Sequence, residues 1–194
     1  MSKPELIISI DIETDGPCTG LNSMLSLGAV AYWDGVQIDT FYSKLLPMDD
    51  AVQNSDTMIF WASQPEAWAE VNTDQEEPLL VMNEFGIWLT DLRDRNNAKL
   101  TAAAWPASFD FGFVNWYMHQ YYGDNPLGFA CLDIRSYANG LFHTPGYYEK
   151  ISEGDLYEFF KIDKSDLRPH VALDDAMEQG RLLMALIKYA SYLK

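Results

Sequence analysis

Asp11 and Glu13 sit two residues apart near the end of LIISIDIETDG, residues 6–16. The β-branched, apolar opening of that stretch has the composition of a buried strand, and in a strand residues two apart point to the same side. Two like charges facing one direction from a central strand repel each other and lose hydration, so the pair is costly unless a cation or protons neutralise it. A hard divalent cation such as Mg2+ or Mn2+, which takes oxygen ligands, is the natural remedy. Taken alone, such a pair is more often two acids that simply face water. The chemistry depends on whether other parts of the chain answer these two residues.

Two places do. In the C-terminal run RPHVALDDAMEQGRLLMALIKYASYL, residues 168–193, a turn of roughly 100° per residue lines up Ala172, Ala176, Leu182, Leu183, Leu186, Ile187 and Ala190 as one buried stripe. Asp175 lies inside it, whereas Asp174 falls on the outer side with Glu178, Arg181 and Lys188. An acid on the core-facing side needs a partner or a metal; an outward acid needs none. His170 is five residues before Asp175, roughly 140° around a continuous helix, so the two do not share a helical face. Pro169 puts the helix start near or after His170 and leaves the histidine on the loop leading in. The second place is Asp110, in the first turn of a helix expected over Phe109–Tyr122. Capping and the helix dipole ordinarily explain an acid there, yet strand end and helix start meet at that point, where open α/β sheets place their ligands.

The elements that must position these groups are legible. Asp34-Gly35 between MLSLGAVAYW and VQIDTFYSKLL marks a hairpin over residues 24–46. DGPCTGLNS is a loop leaving the acidic strand end, where loops commonly touch ligands. A helix over residues 57–71 is interrupted at Gln64-Pro65, TDQEEP is a polar connection, and Leu79, Met82, Phe85, Leu89 and Leu92 recur at helical spacing. AKLTAAAWP and FACLDI, residues 129–134, read as further strands, followed by helices near residues 135–142 and over DLYEFFKI, with HTPGYYEKISEGD as a loop between those two. At 194 residues, 48% hydrophobic and 14% aromatic, the chain has enough apolar content for a sizeable core and reads as one domain, residues 1–194.

A net charge of −16 argues against a broad basic surface that grips long nucleic acid. The N-terminus is polar and the following apolar run is broken by Ser9 and Asp11, so neither a signal peptide nor a membrane span is expected, and the location implied is cytoplasmic. Cys18 and Cys131 lack zinc spacing and read as inert thiols.

The set DIET with Asp11 and Glu13, SFD with Asp110, and HVALDDA with His170 and Asp175 resembles the DEDDh exonucleases, the family of the DNA polymerase III proofreading subunit, RNase T and oligoribonuclease. The resemblance spans residues 6–193. TMIFW, with Gln64 just after it, is similar to the stand-alone branch containing phage-type exodeoxyribonuclease A and a mycobacterial exoribonuclease. It implies an α/β, ribonuclease H-like fold, a mixed five-stranded sheet flanked by helices, and 3′ to 5′ removal of nucleoside monophosphates with two divalent ions, Mg2+ or Mn2+. It further implies Asp11, Glu13, Asp110 and Asp175 as metal ligands and His170 as general base. Two ions roughly 4 Å apart stabilise both oxygens of an in-line phosphoryl displacement, and an unperturbed histidine, with a pKa of ~6.5, is suited to take a proton near neutral pH.

Relatives often follow the first motif with Thr-Gly-Leu, which contacts the terminal nucleotide; here Thr14 is followed by Asp15-Gly16 and PCTG before Leu21. Trp105-Pro106-Ala107-Ser108 stands where many relatives carry an Asn before Phe-Asp. Neither change removes an expected metal ligand; both bear on substrate choice. Thr14, Trp61 and Phe109 are the candidate substrate-binding residues, with Trp105 a further stacking candidate and Arg168 a candidate for a phosphate. The scarcity of basic residues near the motifs favours single-stranded or short RNA or DNA 3′ ends over duplex. Aromatic pairs such as Tyr147-Tyr148 are compatible with a homodimer and equally with a monomer. The alternative function is an acidic, non-catalytic protein that binds nucleic-acid ends or mimics nucleic acid; such a protein needs no Mg2+ or Mn2+ and tolerates Asp175→Ala.

Overall fold

The computed structural model describes residues 3–142 and 151–193. The first three strands are β1 (Glu5–Thr14), β2 (Met24–Trp33) and β3 (Val36–Lys44). β2 and β3 join through Asp34 and Gly35, both at positive φ (49° and 80°), the backbone that a tight two-residue hairpin turn requires. β4 (Lys99–Ala104) pairs parallel to β1, and β5 (Cys131–Asp133) parallel to β4, giving the sheet order β3-β2-β1-β4-β5. The mixed five-stranded sheet is the one expected. β5 is shorter than the run FACLDI suggests, because it pairs only with Ala102, Ala103 and Ala104. Phe129 is 96% exposed, and Ile134 already begins a helix capped by the Asp133 carboxylate.

Among the described residues seven α-helices accompany the sheet: α1 (Ser55–Ala62), α2 (Pro65–Val71), α3 (Pro78–Arg95), α4 (Ala107–Tyr117), α5 (Ile134–Leu141), α6 (Glu153–Phe160) and α7 (Ala172–Tyr192). The break at Gln64-Pro65 appears as expected, with Asn54 accepting from the Asp56 and Thr57 N–H groups to start α1 and Pro65 starting α2. α4 ends sooner than expected and runs on as a π-helical turn, Met118–Tyr122, which stops at Gly123 with φ 87°. Most of the loop expected before α6, including Tyr147-Tyr148, lies outside the described residues. Among those residues no helix is long and apolar enough to cross a membrane.

Strand alternation splits the core in two. Leu6, Ile8, Ile10 and Ile12 face α3 and α4, packing with Phe85, Phe113 and Tyr117. On the other face, Leu182, Leu183 and Leu186 of α7 pack with Ala103 of β4, Ala138 of α5 and Leu156 of α6, while Ala176 meets Val30 and Tyr32. α7 lies unusually close to the sheet. A Cβ on Gly28 would come within 2.2 Å of the Ala172 carbonyl, and one on Gly180 within 2.4 Å of the Tyr32 ring. Gly28 is the register partner of Asp11. The same close approach therefore sets the first turn of α7 over the acidic end of β1.

Two expectations about α7 are corrected. Asp174 is not an outward, solvated acid: it is buried, and Arg168 folds back so that its backbone N–H (3.1 Å) and Nε (2.8 Å) both donate to one Asp174 oxygen. Periodicity assigned that side to water because it could not see the incoming chain covering it. Ile187, placed on the buried stripe, is 37% exposed toward the far end of the helix.

Candidate active site

Pairing of β1 with β4 ends at Ser9–Ala103, so the backbone of β1 beyond that point is open on the β4 side. The Ile12 N–H uses this opening to donate to Asp110 Oδ1 (3.3 Å), which draws the first turn of α4 against the strand end. Asp133 helps hold that turn by accepting from the Ala107 N–H (2.8 Å). Opposite, His170 adopts the left-handed backbone conformation (φ 59°) just before α7, and its N–H donates to Asp175 Oδ2 (2.9 Å). A non-glycine residue in that region is uncommon and strained. Here it tucks the loop back so that donor atoms of Glu13, His170 and Asp175 come within 4.8 Å of one another. Among the described residues that is the one such set able to hold a metal ion. Asp11 and Asp110 fall outside it but within electrostatic reach, and Asp11 Oδ1 is bound by the Gln179 side-chain amide (2.7 Å).

The electrostatics follow from crowding four acids together, Asp11 and Asp110 buried and Glu13 and Asp175 half-buried. Burial raises the pKa of Asp11 well above the carboxylate range, and the charges of Asp110, Glu13 and Asp175 add to it. Burial, then Asp175 and Asp110, push Glu13 up to about 8; burial, with Asp133 and Asp175, pushes Asp110 up to about 8. Asp175 is raised to about 7 by burial and by Glu178, Glu153 and Asp174, against the opposing bond from the His170 N–H. Asp110 Oδ2 is buried with no hydrogen-bond partner. A buried oxygen without a donor, amid carboxylates that raise one another, fits a divalent cation with oxygen ligands.

A cleft of about 390 Å³ opens beside this cluster, lined by Asp11, Trp105, Lys164, His170, Asp175 and Glu178, with Glu153 and Tyr157. A second hollow of about 200 Å³ is lined by Glu13, Thr14, Gly16, Phe60, Trp61 and Phe109. All three candidate substrate-binding residues thus border one hollow, but not in like manner. Trp61 is 1% exposed and its Nε1 donates to the Thr14 carbonyl (2.9 Å), so it braces the β1 end and offers no free face for stacking. Phe60, the residue before it, is 39% exposed and meets the His170 ring edge-on at 5.0 Å and 87°. Phe109 is half-buried against Phe113. Arg168 is engaged with Asp174.

Sequence reasoning missed Phe60, Gln179 and Lys164, whose Nζ is bound to Glu178 at 2.8 Å. Gln179 carried a usable signal: a polar residue one turn after Asp175 and so on the same buried face.

The family described as the 3'-5' exoribonuclease Rv2179c-like domain matches residues 7–187. The chain is 31% identical over 186 residues to the 3'-5' DNA exonuclease Cap18 of Escherichia coli, spanning 95% of this chain and 92% of that protein. Its fold is shared with the nuclease domain of 3'hExo, a DEDDh family member, bound to rAMP (TM-score 0.71, 16% identity, 96% of this chain and 93% of the other). It is shared too with E. coli Exonuclease I in complex with a dA16 oligonucleotide (TM-score 0.69, 14% identity, 97% of this chain and 43% of the other).

Proposed function

The chain belongs to the 3'-5' exoribonuclease Rv2179c-like domain family and is a 3′-5′ exonuclease, and from that premise we propose that it works as a DEDDh enzyme does, and on what. It releases nucleoside 5′-monophosphates from the 3′ ends of single-stranded or short RNA or DNA, and residues 1–194 act as one exonuclease domain. Asp11, Glu13, Asp110 and Asp175 hold two divalent ions, Mg2+ or Mn2+, and His170 is the general base. The observation that carries this reading is the convergence of four mutually repelling carboxylates, one with an unpartnered buried oxygen, beside a histidine on a strained loop.

When bound, the two ions supply Lewis-acid stabilisation for the attacking and leaving oxygens of an in-line displacement. The protein's own residues do the rest. Bonded through its N–H to Asp175 and set against the Phe60 ring, His170 presents its imidazole to the cleft, where it takes the proton of the attacking water. Thr14 and Phe109 border the hollow of about 200 Å³ next to Glu13, which receives the terminal nucleotide in this reading. The acidic exterior disfavours duplex.

Phe60 then supplies the stacking face that Trp61 lacks. Stacking is worth about 1–3 kcal/mol per base, so Phe60→Ala is expected to raise KM for a short oligonucleotide by about 5- to 150-fold. Steady-state kinetics check this, and an unchanged KM would mean that no base reaches the ring.

The function itself is tested with 5′-labelled single-stranded RNA and DNA of one sequence, each with Mg2+, Mn2+ or EDTA, using wild type and Asp11→Ala. A ladder shortening from the 3′ end, dependent on metal and absent in the variant, is the expected result, and the faster substrate identifies the sugar. Both substrates intact with either metal would instead favour an acidic protein that holds nucleic-acid ends without cutting them.

A further inference from the structure

Gln179 is 6% exposed and joins three elements at one point. Its Oε1 accepts from the Trp105 N–H just past β4 (3.1 Å), and its Nε2 donates to Asp11 Oδ1 on β1 (2.7 Å), while its own backbone belongs to α7. The orientation of this amide follows from its partners. A backbone N–H only donates, so the carbonyl end must face Trp105 and the NH2 end must face Asp11. One oxygen of Asp11 is therefore taken by a fixed donor. The residue type matters as much as the place: a Lys or Arg here would neutralise Asp11 and compete with a cation, whereas a neutral amide orients the carboxylate and leaves its charge intact.

We propose that Gln179 is the positioning residue of the metal centre, holding Asp11 by Oδ1 so that its other oxygen is the one available to a divalent ion. This rests on the metal-dependent reading above. Gln179 touches neither substrate nor reacting atoms in this role; it acts through Asp11. Because the same side chain binds Trp105, it also ties the C-terminal helix to the end of β4, and the test has to separate this bracing from the effect on Asp11.

Mn2+ binding to the full chain is measured by titration calorimetry for wild type and Gln179→Met, which fills a similar volume and keeps neither hydrogen bond. The expected result is a Kd for Mn2+ weakened by about 10- to 100-fold, KM for the oligonucleotide unchanged, and kcat recovered when Mn2+ is raised to saturation. A purely structural brace would not give that recovery. In an Asp11→Asn background the same substitution should weaken Mn2+ binding no further, since the residue through which it acts is already altered. If Gln179→Met does not fold, Gln179→Asn, which keeps the amide but is too short to hold both partners, is expected to weaken Mn2+ binding in the same direction. An unchanged Kd in either folded variant overturns the inference, as does an undiminished effect in the Asp11→Asn background. Failure of the wild type itself to bind Mn2+ overturns the metal-dependent reading, and this inference with it.

Discussion

His170→Ala is expected to lower turnover at the 3′ end by about 10²- to 10⁴-fold, the contribution of a positioned general base, with KM and the melting temperature close to wild type. The structure explains why the loss should be so selective. The backbone N–H of His170, not its ring, bonds to Asp175, so alanine keeps the contact that shapes the loop. The ring is half-exposed and packs edge-on against Phe60. What alanine removes is a proton acceptor whose donor atom lies within 4.8 Å of those of Glu13 and Asp175. Single-turnover hydrolysis in Mn2+, with melting curves alongside, measures both sides of this prediction. A rate near wild type would assign the proton to solvent and remove His170 from the chemistry.

Asp110→Asn should have two large and opposite effects. Activity is expected to fall by more than about 10³-fold, because Lewis-acid stabilisation worth several kcal/mol depends on the lost carboxylate. Without metal, however, the variant should melt higher than wild type at pH 8. In the unfolded chain Asp110 ionises near ~3.9; in the folded protein it is pushed up to about 8 by burial first and then by Asp133 and Asp175. Below about pH 4 both states hold the proton and no penalty arises. As pH climbs toward 8 the unfolded state gives up its proton freely while the folded state must give it up inside a buried acidic cluster, so stability falls across that window. Glu13 and Asp175, raised to about 8 and about 7, act in the same direction, as does Asp11.

Wild type in EDTA should therefore lose melting temperature from pH 5 to 8, and Mn2+ should restore it most at the upper end. Asparagine keeps an acceptor for the Ile12 N–H and carries no charge to bury, which removes one share of the decline. At this chain length each kcal/mol corresponds to about 2–4 °C. Melting curves across pH, with and without Mn2+, decide the matter. A flat profile in EDTA, or a variant no more stable than wild type at pH 8, would mean that the four acids do not strain the metal-free fold.

Much of this site was legible in the chain because it rests on short-range geometry. The period of two in a strand puts Asp11 and Glu13 on one side wherever β1 packs. Asp34-Gly35 dictates a hairpin locally, and Pro169 places the start of α7 after His170. Three ordered motifs then identify the family, whatever the intervening loops do. Each of these depends on residues within a few positions of one another, where backbone sterics leave few options.

Tertiary structure decided the remainder, because it turns on which surfaces the distant chain covers. Helical periodicity ranked Asp174 as solvated, and only the return of Arg168 over the first turn of α7 shows it buried and paired. The same periodicity could not tell that Trp61 is sealed beneath Thr14 while Phe60 keeps an open face. Gln179 is an ordinary polar residue in sequence. It acquires a role because Gly28 lets α7 lie on the sheet, carrying an amide to a carboxylate 168 residues away. Local pattern determined which residues carry charge and which way they point along their own element; close packing between elements determined which of those charges meet.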